Sequence, residues 1–358
     1  NVRQLLDRGI ATVRRRFAGH PEVQATLLTA IGAIHRKMGD YDLAGALIEG
    51  ALAEFRAPQD TNDPTLASIR HEQGLLQMER GRFAAAGVHF EEALRIRRKA
   101  LGEHHPETLQ SQVELAEINR LLANFGGARQ LAGDALDTLA ETGRRQHALF
   151  ARSLTVLGWL DLQGRRVDLA TSRLEEALRV QERYHGQDHA AAATTTVTLA
   201  MAHHAAGESE RATTLLRRAL TIYENRLGTE HLYVAIALMN LARIEIDAAR
   251  FDEAKAALDR AGRILQASAG PDSVLFALWI SDIARIQLHR DEVEAAEEKL
   301  QAAHAILVEA LPPDHPLALE TLNLLGDAAR RRGGLQRADE RFAETMDSQL
   351  GSHPETPL

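Results

Sequence analysis

Apolar and small residues recur along this chain on two rhythms at once. The short rhythm, three to four residues, marks amphipathic helices. Between residues 66 and 106 it predicts a first helix on "LASIRHEQGLLQMERG", with Leu66, Ile69 and Leu76 on one side. A second helix is predicted on "FAAAGVHFEEALRIRRKAL". Gly81 suits the C-terminal cap of the first helix. Gly102 stops the second, and Pro106 suits the opening turn of the next.

The long rhythm is 42 residues. Ala44 is followed at that interval by Ala86, Ala128, Ala170, Ala212, Ala254, Ala296 and Ala338. Ala51 is followed by Ala93, Ala135, Ala177, Ala219, Ala261 and Ala303, and the column fails only at Thr345. A third column, Gly32, Gly74, Ala116, Gly158, Ala200, Ala242, Ala284 and Gly326, is small throughout. A larger side chain there would overpack closely approaching backbones, at roughly 1–3 kcal/mol per site. One helix-turn-helix unit is therefore copied about eight times, and the fold expected is all-α, an α-solenoid.

Other columns keep the same phase. The turn column at 39, 81, 123, 165, 207, 249, 291 and 333 reads Gly, Gly, Ala, Arg, Gly, Ala, Asp, Gly. Two residues later comes a plug, usually apolar: Tyr41, Phe83, Phe125, Val167, Phe251, Val293 and Leu335, with Ser209 the exception. The long loops carry His105, His147, His189, His231, Ser273 and His315. Residues 1–20 match only the second half of a unit and are expected to form an N-terminal capping helix. The array is expected over 21–349, with a frayed tail at 350–358.

Composition narrows the functions. Hydrophobic residues make up 45% of the 358 but aromatics only 4%, so alanine and leucine carry the packing. A formal charge of −8 argues against a nucleic-acid partner, which needs a basic stripe. No apolar run approaches the ~20 residues of a membrane span, so no direct membrane contact is expected. The absence of cysteine excludes disulfides and thiolate catalysis.

Candidate chemistry dissolves into the repeat. "LHRDEVEAAEE" from Leu288 holds His-Arg-Asp, the start of a kinase catalytic loop. The lysine and asparagine that should follow are replaced by Val293 and Ala296, which the repeat explains as plug and turn alanine. The loop histidines belong to successive units about 10 Å apart, too far for ligands that must each stand ~2.1 Å from one zinc. Cap hydrogen bonding is the reading they support. No metal, cofactor or catalytic residue is expected.

These columns resemble the tetratricopeptide repeat, in which Leu-Gly stands in the first helix, Ala in the turn region, and an aromatic and a further Ala in the second helix. Leu157-Gly158, Ala170, Leu174 and Ala177 fill those places. The 42-residue period looks like the long repeats of kinesin light chains, and "EEALRIRRKALGEHHPETLQ", residues 91–110, is very close to them. The first-helix Trp and Tyr are missing from most units, and the asparagine those repeats favour before the small column stands only at Asn240. The resemblance implies about eight units in a right-handed superhelix. The opening stretch, "VRQLLDRGIATVRRRF" through "MGDYDLA", is similar to the segment where such arrays begin in bacterial serine/threonine protein kinases.

In such arrays the second, fifth, ninth and twelfth residues of each first helix face a concave groove. The fifth column here is Thr29, His71, Val113, Thr155, Val197, Met239, Ser281 and Asn323. The ninth is Ala33, Leu75, Glu117, Trp159, Met201, Arg243, Arg285 and Asp327. The twelfth is Arg36, Met78, Arg120, Leu162, His204, Ile246, Leu288 and Arg330. These columns vary while the alanines stay fixed, the mark of a scaffold carrying a grafted surface. The expected peptide groove comprises Glu117, Arg120, Trp159, Met201, His204, Ile236, Met239, Arg243, Leu278 and Arg285. Apolar side chains would dock near Trp159 and Met201, and an acidic group near Arg243 and Arg285. No lysine stands in the fifth column, which removes the C-terminal carboxylate clamp of some family members.

The function expected is a non-catalytic protein–protein interaction scaffold binding a peptide or protein segment, the regulatory or sensor region of a larger bacterial signalling protein. The alternative is part of a bacterial serine/threonine kinase whose catalytic domain lies upstream of Asn1. Localisation is then cytoplasmic, or extracytoplasmic (periplasmic in a parent kinase) if a membrane helix tethers the array. A homodimer through the C-terminal repeat is the expected self-association.

Overall fold

The computed structural model describes residues 2–17, 19–55, 62–312 and 314–333, with side chains from residue 9 onward. Among these residues every regular element is an α-helix. They run α1 (Val2–Arg16), α2 (Pro21–Lys37), α3 (Tyr41–Glu54), α4 (Pro64–Glu79), α5 (Phe83–Leu101), α6 (Pro106–Leu121), α7 (Phe125–Glu141) and α8 (Ala148–Gln163). Then follow α9 (Val167–His185), α10 (Ala190–Ala205), α11 (Ser209–Leu227), α12 (Leu232–Asp247), α13 (Phe251–Ser268), α14 (Val274–His289), α15 (Val293–Ala310) and α16 (Pro316–Arg331). From α2 on, even-numbered helices are the first helices of the repeats and odd-numbered ones the second. Ala338, Leu335 and the 350–358 tail lie outside the described residues, and with them the expected homodimer surface.

The chain forms two compact bodies. One holds the described residues up to Gly164 together with Glu176–Tyr184, and the other holds Arg165–Glu175 and the described residues from His185 on. Each is a stack of helix-turn-helix repeats. In the first body α2 packs on α3 and α4, and α6 on α7 and α8. In the second, α12 packs on α11, α13 and α14.

The alanine columns are the joints of these stacks. Every described member, Ala44 to Ala296 in one and Ala51 to Ala303 in the other, is fully buried at 0% exposure. The third column explains its small residues by contact. A Cβ built on Gly74 would stand 2.7 Å from the Phe90 ring, and one on Gly32 would stand 2.8 Å from Ile48. Methyl-sized contacts let second helices seat against first helices at close range.

The turn column has one conformation. All eight positions have positive φ: Gly39 at 77°, Gly81 at 73°, Ala123 at 59°, Arg165 at 55°, Gly207 at 83°, Ala249 at 58°, Asp291 at 61° and Gly333 at 77°. This left-handed residue follows the first helix and redirects the chain into the second. It costs a non-glycine residue roughly 1–2 kcal/mol, yet four repeats accept that. The plugs Tyr41, Phe83 and Val293 open the following helices as buried residues.

Candidate peptide-binding face

The first helices are entered the same way each time. Nδ1 of His105, His147, His189, His231 and His315 accepts the backbone N–H two residues on, at 3.1–3.3 Å. Ser273 Oγ accepts the backbone N–H of Phe276, three residues on, at 3.2 Å. The recurring loop histidines are therefore N-caps, filling one of the donors that every helix start leaves open. Among the described residues no group of three or more His, Cys, Asp or Glu could hold a metal. The kinase-like tripeptide is equally accounted for: Arg290 pairs with Asp252 at 2.5 Å, and Asp291 is the left-handed turn residue.

The four columns expected on the open face do not behave alike. All eight residues of the ninth column are half-buried. The fifth column lies mostly inside: Thr29, His71, Val113, Met239 and Ser281 are buried between helices. Met239, at 3% exposure, packs in a core with Ala235, Leu258 and Ile286. That corrects the expectation of an exposed methionine at 239: its helix turns it into the joint. Ile236 and Leu278 are half-buried against the same core.

In the first body Trp159 is already engaged. The Arg120 guanidinium lies 4.5 Å from its ring centroid, and Phe125 tilts against it at 5.7 Å. Glu117 accepts from Arg120 through both carboxylate oxygens, at 2.8 and 2.5 Å. This stacked, hydrogen-bonded arginine covers one face of the indole. Nearby first helices are tied by Arg36 to Glu72 and Glu79, and by Arg152 bidentate to the buried Glu114 at 2.5 and 2.6 Å. Burial by itself would raise the Glu114 pKa, but the Arg152 bonds outweigh it and hold the carboxyl below its usual range. His71 Nδ1 lies 3.4 Å from Ser111 Oγ, which also takes a 2.7 Å bond from Arg97. Serine and histidine are both buried, so this contact is a joint and not a nucleophile.

In the second body the charged residues form one lattice. His204 Nε2 meets Asp247 Oδ2 at 2.9 Å, and its Nδ1 meets Ser209 Oγ at 3.2 Å. Arg285 donates to the other oxygen of Asp247 at 3.2 Å. Arg243 Nε lies 3.0 Å from each oxygen of the buried Asp282. The Asp282 carboxylate holds the Arg243 guanidinium above its usual range. The two arginines expected to await an acidic ligand are thus each held by an aspartate from a neighbouring first helix. Met201, in the same column, is half-buried.

Sequence reading missed this pairing because the partners are not periodic columns of one charge. Many arginines reach about one repeat away: Arg36 to Glu72, Arg80 to Asp42, Arg152 to Glu114, Arg260 to Glu224 and Arg332 to Glu297. The signal available was composition, since arginines number 38 and lysines 4. Arginine's planar fork suits such inter-helix bonds better than lysine's point charge. Two shallow hollows, about 490 Å³ by Arg95, Arg98 and Leu115 and about 410 Å³ by His185 and Arg226, contain none of the ten expected residues. No helix of the described residues is long and apolar enough to cross a membrane.

A family model described as tetratricopeptide repeat matches residues 65–141, 151–225 and 274–349. No curated protein matches the chain by sequence. Among solved structures, a Rap protein complexed with competence and sporulation factor is similar over 92% of this chain and 98% of that one, at 13% identity and TM-score 0.63. The Rap conjugation gene regulator of plasmid pLS20, in complex with the Phr* peptide, is similar over 82% and 77%, at 16% identity and TM-score 0.61. A Podosopora anserina kinesin light chain with nearly identical TPR-like repeats is similar over 56% and 95%, at 24% identity and TM-score 0.44.

Proposed function

Since the chain belongs to the tetratricopeptide repeat family, we propose that it is a non-catalytic scaffold that binds a peptide or protein segment along its first helices. The observation carrying this reading is the contrast between columns of one helix pair. The alanine joints are buried at 0% in every described repeat. The ninth column, half-buried eight times over, holds Ala, Leu, Glu, Trp, Met, Arg, Arg and Asp. Geometry accounts for the constant columns, while a half-exposed column with no shared chemistry is free to follow a ligand. The two Rap structures above carry a named factor and a named peptide, which fits a segment-binding role for this architecture.

The test is a paired one. Trp159→Ala combined with Arg243→Ala should abolish capture of the partner at a temperature where circular dichroism shows the variant still fully helical, the loss of the buried Arg243–Asp282 pair lowering Tm in its own right. Capture undiminished in that double variant refutes the reading.

A second reading rests on the opening stretch, residues 2–44, which resembles the start of the arrays in bacterial serine/threonine kinases. In that reading the scaffold is the regulatory or sensor part of a kinase, in the cytoplasm or beyond a membrane tether. The coding sequence upstream of Asn1 decides it: a kinase domain must stand there.

A further inference from the structure

Most arginines on the first-helix face have their terminal nitrogens engaged. Arg36 uses Nη1 on Glu79, Arg120 uses Nη2 on Glu117, Arg152 uses both on Glu114, and Arg285 uses Nη2 on Asp247. Arg243 differs. Its only hydrogen bonds among the described residues run from Nε to Asp282, at 3.0 Å to each oxygen. Nη1 and Nη2 make none. The side chain is 29% exposed, whereas Asp282 beneath it is 3% exposed.

The anchoring is one-sided and firm. Asp282 is nearly dry, so releasing Arg243 would strand a buried carboxylate without its partner, which strongly disfavours release. The guanidinium is therefore pinned through its inner nitrogen, while its outer fork makes no hydrogen bond on a side chain that stays partly exposed. The nearest carboxylates do not fill that fork. Asp247 is occupied on one oxygen by Arg285 and on the other by His204. Glu320 of α16 is exposed and makes no hydrogen bond to Arg243 among the described residues. A pre-positioned fork of N–H donors with no acceptor matches the two oxygens of a carboxylate.

We propose that Arg243, pinned by Asp282, receives one acidic side chain of the bound segment. This rests on the scaffold reading above and adds the chemistry of the partner at one position. Asp282 is a positioning residue. Met201 occupies the same column one repeat earlier, and neighbouring helices stand about 10 Å apart, which a polyproline-II segment spans in about three residues while bringing every third side chain back to the same face. The segment therefore carries an apolar side chain about three residues from its acidic one.

The test uses the whole chain labelled with 15N in arginine, its Arg243 side-chain signals assigned through Arg243→Gln. Three probes are titrated: N-acetylglutamate α-amide, N-acetylglutamine as the free acid, and N-acetylglutamine amide. The side-chain carboxylate probe should shift the Arg243 signals saturably, and the neutral amide should not. Arg260→Gln, remote from the site, should respond as the wild type does. Absence of any Arg243 response to carboxylates overturns the proposal. An equal or stronger response to the free C-terminal acid overturns the assignment to a side chain. Partner capture separates the two levels: loss on Trp159→Ala without an Arg243 response leaves the scaffold reading standing and removes this one.

Discussion

Glu208 meets His203 twice. Its backbone N–H donates to the His203 carbonyl at 2.8 Å, and its carboxylate lies 2.8 Å from the His203 Nδ1. The backbone bond closes the left-handed turn, so residues five apart are always brought side by side. The same double contact joins His35 to Asp40, Glu245 to Arg250 and Gln287 to Glu292. The inner member is buried in the first three pairs, at 0%, 3% and 5% for His35, His203 and Glu245.

The repeats thus supply interchangeable pairs, and exchange is testable. His203→Glu alone sets two carboxylates together at a buried site and should cost about 3–5 kcal/mol, the scale of a broken buried ion pair. Adding Glu208→Arg recreates the Glu245–Arg250 pair of the next repeat and should recover most of that loss. Urea denaturation of the single and double variants measures both.

The turn column separates glycine from the rest by conformation alone. Ala249→Gly should stabilise by up to about 1 kcal/mol, because φ of 58° strains a Cβ but not a glycine. Gly81→Ala should destabilise by about 1 kcal/mol. Equal and unchanged urea midpoints for both would contradict the strain.

Gly74→Ala should cost about 1–3 kcal/mol, since the new methyl meets the fully buried Phe90 ring at 2.7 Å. Gly126→Ala, whose Cβ meets nothing within 4 Å, should be neutral or stabilising by up to about 1 kcal/mol. Thermal melts of the pair distinguish a packing joint from a merely small residue.

Arg152→Ala should destabilise by about 3–5 kcal/mol near neutral pH, because it leaves Glu114, 2% exposed, charged and unpaired. Adding Glu114→Gln removes that charge and should restore part of the stability. Guanidinium unfolding of the two variants reads the difference.

Acid should weaken the fold through histidine. Burial pushes His71 down to about 3, and burial also lowers His147 and His231 from their ordinary value. A neutral imidazole is needed at both caps, where Nδ1 accepts a backbone N–H. A lowered folded-state pKa means the unfolded chain takes up protons first. Stability from these groups is therefore complete above about pH 6.5 and falls as pH drops, for His71 toward pH 3. Glu79, which burial pushes up to about 7, runs the opposite way. The measurement is accordingly the difference between wild type and His71→Gln: the variant should show the shallower loss of stability between pH 6.5 and 4.

Much of the fold was legible because packing repeats where geometry repeats. Ala44, Ala51 and their successors announce joints, and their burial at 0% follows from helices that must approach to within a methyl group. The second helix at Phe83–Leu101 begins and ends where its plug and Gly102 place it. The face was legible only in part. Trp159 and Arg243 belong to it, yet neither stands bare: Arg120 lies over the indole, and Asp282 holds the guanidinium. Met239 reads as surface by column and lies in the core.

The sequence by itself determined the period, the helix pairs and the small-residue joints, since each depends on local propensity or on a contact that recurs at fixed spacing. Only the tertiary structure decided which charges meet, which side of Trp159 is covered and which arginine keeps its outer nitrogens without partners. Those outcomes depend on side chains a whole repeat apart, brought together by helix packing and chosen by burial and hydrogen-bond geometry, and no periodicity within the chain encodes them.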